Sequence, residues 1–162
     1  MKSKNDEATQ RILLLLKIDA NNLFSRIKNR KMEYLEVFAS RRTRVHFPMI
    51  FSNRYESSGI HELSHCSTEL ITVLDQFYTI SEEMGWYLFK TEDMPATVEH
   101  FIERKIKRMD GVLQSLNLFL NAELGIEGEE EVVSTPTFID VPDVGPDELF
   151  PDSPDNDIPQ ES

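Results

Sequence analysis

The residues best suited to chemistry cluster at 61–66. His61-Glu62-Leu63-Ser64-His65 places two imidazoles one helical turn apart, a spacing that helical zinc and di-iron sites use. Glu62 follows the first of them, but no third ligand is visible nearby, so the run is not read as a zinc-protease unit. His100 and Glu103 come from a later helix, and the paired Glu-x-x-His motifs of a di-iron carboxylate site are missing. Cys66 beside His65 has the residue types of a nucleophile and its base, yet helical neighbours project about 100° apart and do not meet. No Gly-rich phosphate loop and no nucleophile elbow occurs. The chain reads as a non-enzyme, with no catalytic residue, metal site or cofactor.

Two charge blocks remain. Arg26, Lys28, Arg30, Lys31, Arg41, Arg42 and Arg44 are seven of the 17 bases, set within nineteen residues and opposed there only by Glu33 and Glu36. Such a basic face suits phosphates of nucleic acid or lipid headgroups, or a solvated helix. The other block is acidic. From Glu127 to Ser162 there are twelve acids, no Lys or Arg, and six of the eight prolines. The net charge of −12 therefore lies there, and residues 1–126 are neutral overall. A Pro-rich, single-sign segment buries too little apolar surface to offset its ordering entropy, so 127–162 is expected to be a disordered tail. Within it Phe138-Ile139 and Leu149-Phe150 are apolar pairs of the kind a short recognition motif presents to a partner protein.

Gln114-Ser115-Leu116-Asn117-Leu118-Phe119 resembles the short peptide by which bacterial replication proteins bind the sliding clamp. That peptide works in an extended segment, whereas Leu116 here belongs to an apolar helical stripe. The resemblance therefore implies no clamp partner.

The elements that must carry these residues are helices. Leu63, Cys66, Leu70, Val73, Phe77, Ile80, Met84 and Tyr87 alternate at spacings of three and four, the seam of a helix packed in a coiled-coil-like bundle, with Leu74 and Leu88 widening the face. The spacing predicts a helix over 60–89, capped by Ser58 or Gly59, with Gly85 as a possible end. His61 and His65 then face away from the core. An earlier helix from about Asp6 to Thr43 has two soft points, Asn21-Asn22 and Arg30-Lys31. A third begins at Asp93-Pro95 and closes at Gly125 and Gly128. Met49, Ile50 and Phe51 form an apolar clasp in the loop between the first two.

The expected fold is all-α. It is an antiparallel up-down-up bundle of three long helices over 1–126, or four if the first breaks near Asn21-Asn22. An overhanging first helix would favour a homo-oligomer. One Cys and no long apolar run point to the cytoplasm. Together these features favour an adaptor that binds another protein through its bundle and tail. Nucleic-acid or membrane association through 26–44 is the rival, and a metal-binding bundle the third reading.

Overall fold

The computed structural model describes residues 4–126. The acidic segment, with Phe138, Ile139, Leu149, Phe150 and Gly128, lies outside the described residues. Helix α1 (Lys4–Asn29) and helix α2 (Lys31–Ala39) follow one another with a kink at Arg30 (φ −98°, ψ 11°). Of the two soft points, the second breaks. Arg30 fills a seam position with a charge, and the chain turns rather than bury it. The carbonyl of Ile27 at the end of α1 accepts a hydrogen bond from the buried Tyr34 hydroxyl at 3.0 Å. Asn21 stays helical because α6 gives its amide partners, described below.

Helix α2 ends in a Schellman turn: Arg42 N donates to Val37 O and Arg41 N to Phe38 O. The left-handed position that usually takes glycine holds Arg41 (φ 50°).

The connection 40–67 is more than a loop. It contains α3 (Phe47–Ile50), a 3-10 turn (Tyr55–Ser57) and α4 (Ile60–Leu63), and it runs back the length of the molecule. Phe51 lies against Gly85, Tyr55 stacks on Tyr78 with centroids 4.4 Å apart, and Ser67 N donates to Glu123 Oε1. Phe47, Ile50 and Phe51 are buried, while Met49 is exposed, so the apolar clasp is shifted from the one expected. Pro48, in the first turn of α3, explains the shift, since it starts a helix more readily than it continues one. Arg26 donates to the carbonyls of Ile50 and Ser52 and so ties this leg to α1.

Helix α5 (Thr68–Lys90) starts eight residues later than the heptad seam implies. Ser67 caps it, its Oγ accepting from Leu70 N, and Leu63 and Cys66 sit on α4 and the following turn. Ser64 to Ser67 are weak helix formers that favour caps and turns, which is why the break falls there. Beyond the cap the periodicity holds. Leu70, Leu74, Phe77, Ile80, Met84 and Leu88 are buried, each burial worth about 1.5–3 kcal/mol. Gly85 does not end the helix.

Helix α6 (Pro95–Leu124) has Pro95 in its first turn and closes at Gly125 with φ 68°. It runs antiparallel to α5, with Lys105 on Glu83 and Phe101 stacked on Tyr87. It also runs antiparallel to α1–α2, with Asn121 on Lys17 and Glu103 on Lys31. Hence α1 and α5 are parallel to each other, and the segmented leg 40–67 supplies the descent between them. The all-α bundle of long packed helices is completed by this fourth leg. Because α2 packs along α6, the expected first helix does not overhang at its carboxy-terminal end; with Lys17 on Asn121 and α6 ending at Leu124, it is the amino-terminal turns of α1 that run past α6. Among the described residues no helix is long and apolar enough to cross a membrane.

Candidate interaction surface

Letter for letter, residues 61–65 spell H-E-x-x-H, a zinc motif when both imidazoles share one helix with a third ligand. Here α4 ends at Leu63, and the Glu62 carboxylate accepts from Gly59 N at 2.7 Å. His61 and His65 are exposed with ring centroids 5.8 Å apart. No group of three His, Cys, Asp or Glu that could hold a metal occurs among the described residues. Burial, helped by the charge of Glu123, pushes the Cys66 thiol up, which is the wrong direction for a nucleophile.

The basic residues are largely engaged within the fold. Arg26 holds two carbonyls and Lys28 lies over the Phe24 ring. Arg30 pairs with Glu33, Lys31 with Glu103, and Arg42 with Glu36. Arg44 lies over the Phe38 ring and donates to the carbonyls of Leu88, Phe89 and Thr91, capping α5. Arg41 has no side-chain partner among the described residues. Arg41, Arg42 and Arg44 do come together around a cavity of about 550 Å³ with Phe38, Met94 and Pro95, but Glu92 and Asp93 line it too.

Gln114–Phe119, the clamp-like run, lies in the middle of α6, with Leu116 fully buried. Its neighbourhood is the least ordinary surface of the bundle. Residues 111–122 of α6 contain no charge, and neither do the outward positions Leu14, Leu15, Ile18, Asn22 and Ser25 of α1. Antiparallel packing sets these stretches side by side. A polar ladder along the groove closes them together. Lys17 Nζ donates to Asn121 Oδ1 at 2.7 Å, and Asn21 and Asn117 exchange amide hydrogen bonds at 3.0 and 3.1 Å. With Lys17 held in that ladder, the outer surface shows apolar side chains between small and amide ones. Leu118 is 72% exposed, Leu14 47% and Ile18 45%, with Gly111, Gln114, Ser115 and Ala122 around them.

The contrast with α5 is informative. Trp86 is 68% exposed, but its outward ridge carries Asp75, Glu82 and Lys90, as a solvated face does. The α1–α6 face has the charge depletion of an interface core. Sequence reasoning missed it because the uncharged run at 111–122 becomes a face only beside the outward positions of α1.

Compared with family models, curated proteins and solved structures, the chain matches none.

Proposed function

We propose that the protein is a non-enzymatic adaptor that binds a partner protein through its helical bundle, with the acidic segment 127–162 as a second contact. The observation that carries this reading is the uncharged α1–α6 face. It leaves Leu14, Ile18 and Leu118 in water in a chain where 28% of residues are charged. The phosphate-binding rival is weakened because most of Arg26 to Arg44 already hold internal partners, leaving few charges to displace counterions. A lone half-buried thiol accords with a reducing compartment, and we place the adaptor in the cytoplasm on that ground.

The test is capture from lysate by three full-length baits. These are the wild type, Leu118→Glu, and the tail variant Phe138→Ala, Ile139→Ala, Leu149→Ala, Phe150→Ala. Specific capture that falls in at least one variant supports the adaptor. Identical capture by all three sinks it. Retention on a polyanion column that collapses steeply with salt would instead favour the phosphate reading.

A further inference from the structure

We propose that the cavity beside Asp19 binds a small zwitterion of the α-amino-acid class, with its ammonium on the Asp19 carboxylate and its carboxylate on the guanidinium groups of Arg26 and Arg54. The proposal goes beyond the adaptor reading and does not depend on it.

Only half of the Asp19 carboxylate is taken up by the fold. The residue is 9% exposed, and both of its donors, the Tyr78 hydroxyl and Arg54 N, go to Oδ2. Oδ1 accepts from none of the described residues. It is not sealed in the core either, since Ser81 Oγ is the one fully buried side-chain polar atom without a partner among the described residues. Asp19 instead lines a cavity of about 230 Å³ between α1 and the leg 40–67, with Ile18, Asn22, Arg26, Asn53 and Arg54 around it. A carboxylate oxygen in a mostly buried place is costly without a donor, so a ligand that brings one is favoured there.

The rest of the lining determines what else that ligand carries. Asn53 is already committed, donating to Glu56 Oε1 and accepting from Glu56 N. Arg26 spends Nε and Nη2 on the carbonyls of Ile50 and Ser52, which fixes its guanidinium and leaves Nη1. The side chains of Asn22 and Arg54 have no partner among the described residues. The uncommitted groups are thus one carboxylate oxygen, one amide and donors of two guanidinium groups. A metal ion would meet two positive charges for one carboxylate, and a plain anion would meet Asp19. A molecule that carries an ammonium and a carboxylate a few atoms apart offers each sign its opposite, and guanidinium groups match carboxylate geometry. The volume is below the range of about 300–1,000 Å³ typical of sites for drug-sized ligands, which selects a small molecule.

The experiment is isothermal titration of the full chain with L-alanine, with propionate, which lacks the ammonium, and with alaninamide, which lacks the carboxylate. Alanine is expected to bind saturably with a Kd at or below about 1 mM, a modest affinity that two charged contacts supply. The two control ligands should bind at least about tenfold more weakly, the effect of losing a hydrogen bond to a charged group. Arg54→Ala keeps the backbone N–H that holds Asp19 and should weaken alanine binding about tenfold for the same reason. Asp19→Asn, with helicity checked by circular dichroism, keeps the side-chain shape and should erase the preference for alanine over propionate. Absence of saturable alanine binding up to about 10 mM overturns the proposal. So does propionate or alaninamide binding as tightly as alanine, and so does alanine binding that Arg54→Ala leaves unchanged. If Asp19→Asn unfolds the chain, the two control ligands and Arg54→Ala decide the matter between them.

Discussion

The ring of Phe51 lies directly on the backbone of Gly85: a Cβ at that position would sit 2.9 Å from Phe51 Cγ and 3.2 Å from its Cβ. Alanine is the better helix former by about 1 kcal/mol. Overpacking a fixed ring costs about 1–3 kcal/mol and should prevail. Gly85→Ala is therefore expected to destabilise the fold in urea titration. In a Phe51→Ala background the same change should stabilise it. Stabilisation by Gly85→Ala in the wild type would mean that the descending leg does not pack on α5 as described.

Among the described residues Asp19 is the one buried acid, and it accepts from the Tyr78 hydroxyl at 2.9 Å and from Arg54 N at 3.1 Å. It joins α1, the descending leg and α5. Asp19→Ala leaves two donors unsatisfied and should cost about 2–6 kcal/mol, the sum of two such losses. In a double-mutant cycle with Tyr78→Phe the losses should be strongly non-additive, and additivity would show that the hydroxyl and carboxylate do not interact.

Burial pushes the Tyr34 and Tyr78 phenols well above the usual tyrosine range, and at Tyr78 the Asp19 charge and hydrogen bond add to it. A pKa raised in the folded state means the proton is held more tightly there than in the unfolded chain. The associated stability is complete below about pH 10, the unfolded value, and is lost as pH rises toward the folded values. Alkaline titration should show these two tyrosinates appearing together with loss of helicity. Their ionisation near pH 10 in a fully helical protein would contradict the buried placement.

Arg41 holds a left-handed backbone that an L side chain adopts at a cost. Arg41→Gly should raise stability by about 0.5–1 kcal/mol, since the Schellman hydrogen bonds are unchanged and the strain is relieved. Lower stability on thermal melting would show that the guanidinium has a structural partner after all.

Ser81 is 1% exposed, and its Oγ has no hydrogen-bond partner among the described residues. Ser81→Ala is expected to be neutral or to stabilise by up to about 1 kcal/mol, since a desolvated hydroxyl is removed and little volume is lost. A loss above about 1 kcal/mol would indicate an unseen acceptor, because that is the typical worth of one hydrogen bond.

The long helices were legible because burial at a 3.6-residue period writes itself into sequence. Leu70 to Leu88 and Val98 to Leu120 show it, and Pro95 and Gly125 mark ends by their backbone chemistry. The descending leg was not legible. Phe47, Ile50 and Phe51 form too short a run to show a period, and what they cover is α5, more than thirty residues on. Asp19 reads as a surface acid until Tyr78, 59 residues away, is brought to it. Asn21 reads as a helix weakness for the same reason, since its partner Asn117 is 96 residues later. The uncharged α1–α6 face was half legible. A charge-free stretch at 111–122 stands in plain view, but its meaning depends on which stretch of α1 it joins.

That distance in sequence has a temporal side. Helices α5 and α6 are consecutive and close on each other as soon as both exist, whereas Lys17 waits 104 residues for Asn121. At a synthesis rate of about 5–20 residues per second, α1 spends roughly 5–20 s outside its groove. During that interval Leu13, Leu16, Leu23 and Ile27, all buried in the finished molecule, have no α6 to cover them. The nascent amino-terminal half thus exposes apolar surface that the finished bundle buries, and the core is completed only when the last helix arrives.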